Sequence, residues 1–145
     1  MHHMRDERGG IQRSFRLSAR TLELLDAEAA MVGESRNALA DRLLGEALRV
    51  ERHPLIRFRQ GAAGRRQPLV TGTRLSVHQV IATLRESDGD VDEAAAYLGI
   101  TQRQVRAALD YYADFRDEID ADAEGAQRIE AAERDRWERQ QRALA

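Results

Sequence analysis

The sequence predicts a mainly α-helical protein in three parts. One strand and two helices are expected over residues 11–52, a small hairpin and a helix pair over residues 53–119, and a single helix over residues 120–145. Three observations support this prediction: a short apolar–polar alternation, apolar residues at three- and four-residue intervals between helix caps, and a charged C-terminal stretch with few large apolar residues.

The stretch RSFRLS, residues 13–18, has the alternation of a half-buried strand. A two-residue period puts Phe15 and Leu17 on one face and Ser14 and Arg16 on the other. No nearby segment supplies a partner for the backbone N–H and C=O groups of this strand. We therefore expect two copies of the chain to pair here as a two-stranded antiparallel ribbon.

Two helices are predicted after this strand. Ser18 and Gly33 have the residue types of an N-cap and a C-cap, and Ser35 begins a second helix that runs to about Glu51, before His53-Pro54. The inward apolar positions are Leu22, Leu25, Ala29 and Val32, then Leu39, Leu43, Ala47 and Val50. One strand and two helices cannot enclose a core alone, so a homodimer is expected and a tetramer is left open.

This segment resembles the ribbon-helix-helix family of DNA-binding proteins. The resemblance rests on FRLS, on Leu25-Asp26 and on GESRNALADRLL, residues 33–44. It implies a dimer on double-stranded operator DNA, with the ribbon in the major groove and the second helix's N-terminus on phosphate. The residues implied for base contacts are Gln12, Ser14 and Arg16, and those for phosphate are Ser35, Arg36 and Asn37. An ordinary edge strand with solvated charges is the alternative.

The middle segment predicts a hairpin followed by a helix-turn-helix. IRFR and PLVTGTR flank a Gly-containing loop, and a helix is expected at about residues 76–86. Ala95, Gly99 and Val105 have helix-turn-helix spacing, and Thr101 caps the second helix. In a DNA-binding version of the motif, Gln102, Arg103 and Arg106 would face the groove as a second DNA-binding surface. The alternative is a packing unit alone, because several acids flank it.

This segment also resembles a small winged-helix-like family of unknown function that recurs in bacterial antitoxins paired with PIN-like ribonuclease toxins. The resemblance rests on GTRLSVHQVIATL, the helix pair and QVRAALDYYADFRDEID. It departs from the family at PLV, where Pro-Val-Ile is usual. Together with the N-terminal resemblance, it implies an antitoxin.

The C-terminal stretch predicts a helix that binds a partner. Its large apolar residues, Ile129, Trp137 and Leu144, make one narrow stripe that is too small to stabilise a helix unaided. Trp and Arg are enriched among interface hot spots, so this stripe is the expected toxin-binding surface. Its arginines, expected to face the toxin's metal-binding carboxylates, are Arg134, Arg136, Arg139 and Arg142. The alternative is a helix that folds back so that Trp137 covers the protein's own core.

Several classes of function are not expected. The chain has no cysteine, and His2, His3, His53 and His78 do not have metal-binding or triad spacing. The loop GAAGRR lacks the ending of a phosphate-binding loop. We expect no enzyme activity, no cofactor, no metal, no membrane contact and a cytoplasmic location.

The net charge of −2 hides a gradient, since residues 1–20 hold five Arg against two acids and residues 117–145 hold nine acids against five Arg.

The function predicted from the sequence is an antitoxin that binds operator DNA as a dimer, represses its own operon and neutralises a PIN-like ribonuclease toxin through its C-terminal region. The alternative is a free-standing dimeric transcription regulator with no toxin partner.

Overall fold

Helices dominate the structure, a computed structural model that describes residues 10–61 and 64–145. Within these residues the chain is 69% helical, with six helices and one two-stranded antiparallel hairpin. His2 and His3 lie outside the described residues. The elements in chain order are α1 (Ala19–Val32), α2 (Arg36–Arg52), β1 (Ile56–Gln60), β2 (Arg66–Val70), α3 (Val77–Glu86), α4 (Val91–Leu98), α5 (Gln102–Asp114) and α6 (Arg116–Leu144).

The prediction of an N-terminal strand followed by two helices is wrong. Residues 12–18 form neither helix nor strand, and the side chains of Phe15 and Leu17 are 76% and 45% exposed. The alternation covers only six residues, and a lone strand leaves its backbone groups without partners, so the pattern alone does not stabilise it. The structure therefore does not support the ribbon expected from this strand. It also does not support the major-groove position predicted for Gln12, Ser14 and Arg16.

The two helices after this segment form where the sequence predicts them. Ser18 caps α1, because its Oγ accepts a hydrogen bond from the backbone N–H of Thr21 at 3.1 Å. Gly33 ends α1 in the left-handed conformation with φ 72°, which costs a residue without a Cβ little. The Oγ of Ser35 accepts from the N–H of Ala38 at 3.1 Å at the start of α2.

The chain divides into two compact units, Met1–Gly45 and Glu46–Ala145. The division falls inside α2, so the last turns of that helix belong to the second unit. The second unit also holds the hairpin and α3 to α6.

The predicted hairpin is present in the second unit. Strands β1 and β2 are antiparallel, with Ile56 opposite Val70 and Phe58 opposite Pro68. Ile56, Leu69 and Val70 are buried, while most of β1 is polar and exposed. The hairpin thus covers one side of a helical core rather than forming a sheet of its own.

The predicted helix-turn-helix is also present, as α4 and α5. Ala95 and Val105 are buried where the two helices pack, and Gly99 ends α4 with φ 67°. The Oγ1 of Thr101 accepts from the N–H of Gln104 at 3.1 Å, which caps α5. The core of the unit combines this pair with α3, the hairpin and the start of α6.

The first half of helix α6 packs into the core of the second unit, and its second half is exposed. It begins at Arg116, earlier than its composition indicates, and buries Ile119 and Asp122. Every residue from 130 to 145 is exposed. The side chain of Trp137 is 60% exposed, so it does not cover the core of the second unit. Among the described helices, none is long and apolar enough to cross a membrane.

A matched pair of substitutions on α6 tests this description. Ile119→Ala should lower the free energy of unfolding by about 2–5 kcal/mol, because it removes a fully buried side chain and leaves a cavity. Trp137→Ala should change it by less than about 0.5 kcal/mol, the usual scale for surface positions. Urea unfolding at one fixed protein concentration measures both. A loss for Trp137→Ala as large as that for Ile119→Ala would mean that the end of α6 packs on the core.

Candidate functional site

The residues predicted to contact DNA from the first unit are all exposed. Gln12, Ser14 and Arg16 lie in the segment without regular structure, before α1. At the start of α2, the Oγ of Ser35 is occupied by its capping bond. The Nε of Arg36 donates to Oδ1 of Asp26 at 2.6 Å, so an internal carboxylate already balances this guanidinium.

Helix α1 is apolar on two faces, and none of its residues is buried. The predicted stripe includes Leu22 and Val32. At 3.6 residues per turn, Leu24 and Met31 lie about 120–140° round the helix from the centre of that stripe, and they are 56% and 83% exposed. A helix face that carries large apolar side chains is normally buried. Sequence reasoning missed this second face, although the seven-residue step from Leu24 to Met31 is a helical spacing.

The second predicted DNA-binding surface lies at the start of α5. Gln102, Arg103 and Arg106 are exposed there, as the helix-turn-helix pattern predicts. Arg103 and Arg106 line a groove of about 360 Å³ together with Arg52, which the sequence analysis missed. Asp110 is the acid in this lining, so the groove has a net positive charge.

The predicted toxin-binding residues on α6 do not share one face. At 3.6 residues per turn, Ile129, Leu144 and Trp137 fall within an arc of about 80°. Arg136 lies about 20° outside one edge of this arc, and Arg134 about 60° outside the other. Arg139 lies beyond Arg136, farther from the apolar arc, and Arg142 points to the side of the helix opposite this arc. The apolar stripe is therefore flanked by two arginines, and Arg142 is not among them.

A cavity of about 480 Å³ lies between the hairpin, the start of α3 and the middle of α6. We call it the arginine cavity, because Arg59, Arg65, Arg74 and Arg128 line it. Its residues come from four separate stretches of the chain, and no sequence signal identified it.

Two titratable groups besides the arginines line the arginine cavity. Burial raises the pKa of the Asp122 carboxyl, and Arg65 opposes this shift from 3.4 Å. Burial lowers the pKa of His78 below its usual range, so a neutral imidazole is favoured there. Within the described part of the chain, no three His, Asp or Glu side chains form a group that would hold a metal ion.

Comparison with known proteins finds one sequence family. Residues 64–112 match a family described as "Protein of unknown function (DUF433)". The match runs from just before the hairpin's second strand to near the end of α5, about a third of the chain, and its description names no activity. No curated protein and no solved structure matches the chain.

Proposed function

We propose that the protein is an antitoxin that binds operator DNA as a dimer, represses its own operon and neutralises a PIN-like ribonuclease toxin in the bacterial cytoplasm. The observation that carries the proposal is the exposed half of α6. Residues 130–144 form four turns of helix that no other described part of the second unit covers. An isolated helix of this length is marginal in water, so a partner that orders it is expected.

The chemistry of this segment fits an acidic partner site. Trp137 is the chain's only tryptophan, and a Trp flanked by arginines is the usual composition of an interface hot spot. Arg134 and Arg136 border the apolar stripe and would face the metal-binding carboxylates of a ribonuclease. The choice of a PIN-like toxin rests on the resemblance of the middle segment to antitoxins and remains part of the proposal.

The first unit supports the dimer. It exposes large apolar side chains on both faces of α1, and Leu39 is its one fully buried large side chain among the described residues. Folded monomers rarely leave this much apolar surface in water. A second copy of the chain is the partner that would bury it, without any need for a paired strand.

The DNA-binding part of the proposal rests on exposed arginines in both units. Arg16 lies before α1, and Arg103 and Arg106 project from the first turns of α5 beside Arg52. A helix N-terminus with nearby guanidinium groups attracts phosphate oxygens. Arg36 contributes less to such contacts than its position indicates, since Asp26 already pairs with it.

The proposal predicts that dimerisation stabilises the fold. The thermal midpoint of the wild type should rise with protein concentration, because folding and association are linked. Leu24→Gln combined with Met31→Gln should shift the protein toward monomer, while Gln keeps a helix propensity close to that of Leu and Met. Glu28→Gln, on the same helix, is the control and should remain dimeric. Sedimentation at micromolar concentration measures the state. A wild-type monomer with a concentration-independent midpoint would refute the dimer.

Contacts from α5 to DNA should appear in the salt dependence of binding. Arg103→Ala combined with Arg106→Ala should weaken binding to operator and random duplex alike and reduce the salt slope by about 2, if each arginine neutralises one phosphate. Arg139→Ala, which removes a charge from α6, should leave the slope unchanged. Fluorescence anisotropy at several salt concentrations provides the measurement. An unchanged slope for the double variant would remove α5 from the DNA interface.

Neutralisation should depend on the exposed half of α6. A chain ended after Ala132 should keep its dimerisation and DNA binding but fail to inhibit the toxin. Trp137→Ala should weaken toxin binding by roughly 30-fold, the effect of losing a central aromatic anchor. Arg142→Ala is the matched control, because this side chain points away from the stripe, and it should change affinity less than about threefold.

The same truncation separates the antitoxin from a free-standing regulator. If the truncated protein still inhibits the ribonuclease encoded by a neighbouring gene, the toxin-binding site lies elsewhere on the chain. If no neighbouring PIN-like gene exists and the full-length protein binds no such ribonuclease, the chain is a dimeric regulator without a toxin partner.

A further inference from the structure

The arginine cavity carries more positive charge than the acidic group in its lining neutralises. Arg59 lies on β1, Arg65 just before β2, Arg74 before α3 and Arg128 on α6, and all four side chains line one space of about 480 Å³. Cavities of this size accommodate small molecules. The carboxylate in this lining is that of Asp122, so the cavity wall carries an excess of positive charge.

Three of the four arginines have no acidic partner. Arg65 pairs with Asp122, with 3.4 Å between Nη2 and Oδ1. Arg59, Arg74 and Arg128 form no ion pair with any described residue, although nearby arginines with a structural role do. Arg66 makes two hydrogen bonds to Glu46, at 2.7 and 3.2 Å, and Arg49 bonds Glu118 at 3.0 Å. All four arginines are exposed, so water and salt screen part of their mutual repulsion, and an anion bound among them would remove the rest.

Two of the guanidinium groups converge on one glycine. Nη1 of Arg65 and Nη2 of Arg128 both lie within 4 Å of the point where a Cβ on Gly125 would stand. Glycine weakens the middle of a helix relative to alanine, so its presence in α6 needs a local reason. Here the missing Cβ leaves open a point at the helix surface that two cationic groups approach.

Buried polar groups complete the cavity. The Oγ of Ser76 is buried and faces the backbone N–H of Gln79 as half of a capping box, although this contact does not meet the geometry of a full hydrogen bond. The Asp122 side chain is 5% exposed, and its Oδ1 lies 3.4 Å from Nη2 of Arg65, so this carboxylate holds one of the four arginines at the cavity wall. Buried polar groups without partners are uncommon and are often completed by a bound molecule.

We propose that the arginine cavity binds a small compound with several phosphate charges, such as an inorganic polyphosphate or a nucleoside triphosphate. The planar donors of arginine match phosphate oxygens in pairs, and three uncompensated guanidinium groups match a ligand with three or more negative charges. This proposal is independent of the toxin and of the operator, because every residue in it belongs to the hairpin, the start of α3 and α6.

The test uses the full-length protein at physiological salt, with tripolyphosphate and ATP as probes and citrate as a carboxylate control of somewhat lower negative charge. Calorimetric titration and the thermal midpoint are the two measurements. We expect saturable binding of tripolyphosphate, about tenfold tighter than that of citrate. If ATP binds more tightly than tripolyphosphate, the ligand carries a nucleoside; if it binds more weakly, the ligand is an inorganic polyphosphate. Equal binding of citrate and tripolyphosphate would overturn the proposal.

Variants separate a defined site from general charge attraction. Arg59→Gln, Arg74→Gln and Arg128→Gln should each weaken tripolyphosphate binding about tenfold. Arg103→Gln removes an exposed arginine that does not line the cavity, and it should leave binding unchanged. An equal loss for Arg103→Gln and the cavity variants would show that the probe binds to overall positive charge, which also overturns the proposal.

Gly125→Ala distinguishes a loss of tripolyphosphate binding from a loss of folding. An added Cβ meets Arg65 and Arg128 at 3.8 and 3.9 Å, an ordinary contact distance, so the apo protein should be at least as heat-stable as the wild type. The same methyl group occupies the space between the two guanidinium groups, so tripolyphosphate binding should weaken. Unchanged binding in this variant, or complete displacement of tripolyphosphate by short duplex DNA, would refute a small-molecule site.

Discussion

The second unit depends on the burial of one aromatic side chain, Tyr111. This residue of α5 is fully buried, and its ring centroid lies 5.1 Å from that of His53, 6.4 Å from that of Phe58 and 4.7 Å from that of Phe115. These contacts join α5 to the end of α2, to the hairpin and to the start of α6. Burial, reinforced by the nearby Glu118, raises the pKa of Tyr111, and Arg49 opposes that shift.

The position of Tyr111 explains why the last turns of α2 belong to the second unit. Arg49 places its guanidinium 5.0 Å above the ring of Phe115 and bonds Glu118, and His53 bonds Asp114 at 2.8 Å. These contacts attach α2 to α5 and α6 through side chains, whereas the first turns of α2 contribute Leu39 to the first unit. The first turns of α2 therefore belong to the first unit, and its last turns belong to the core of the second unit.

The sequence predicts the parts of this fold that local chemistry determines. Caps at Ser18, Thr101 and Gly99 fix the ends of helices, and the spacing of Ala95 and Val105 fixes how α4 meets α5. The strand at residues 13–18 fails because alternation describes only which side chains share a face, while a strand also requires a partner for its backbone. The start of α6 at Arg116 is missed because that turn is stabilised by burial of Ile119, which depends on the distant core.

Prediction of functional surfaces is limited for the same reason. The exposure of Trp137 can be predicted because the composition of its own helix, which has few large apolar residues, indicates it. The arginine cavity is not recognisable, since Arg59, Arg65, Arg74 and Arg128 are up to 69 positions apart in the sequence and converge only when the hairpin folds against α6. The chain's basic residues are all arginine, so the residue type alone carries no information. Folding supplies Arg66 with the carboxylate of Glu46 and supplies no such partner to Arg128 among the described residues, a difference that the sequence does not reveal.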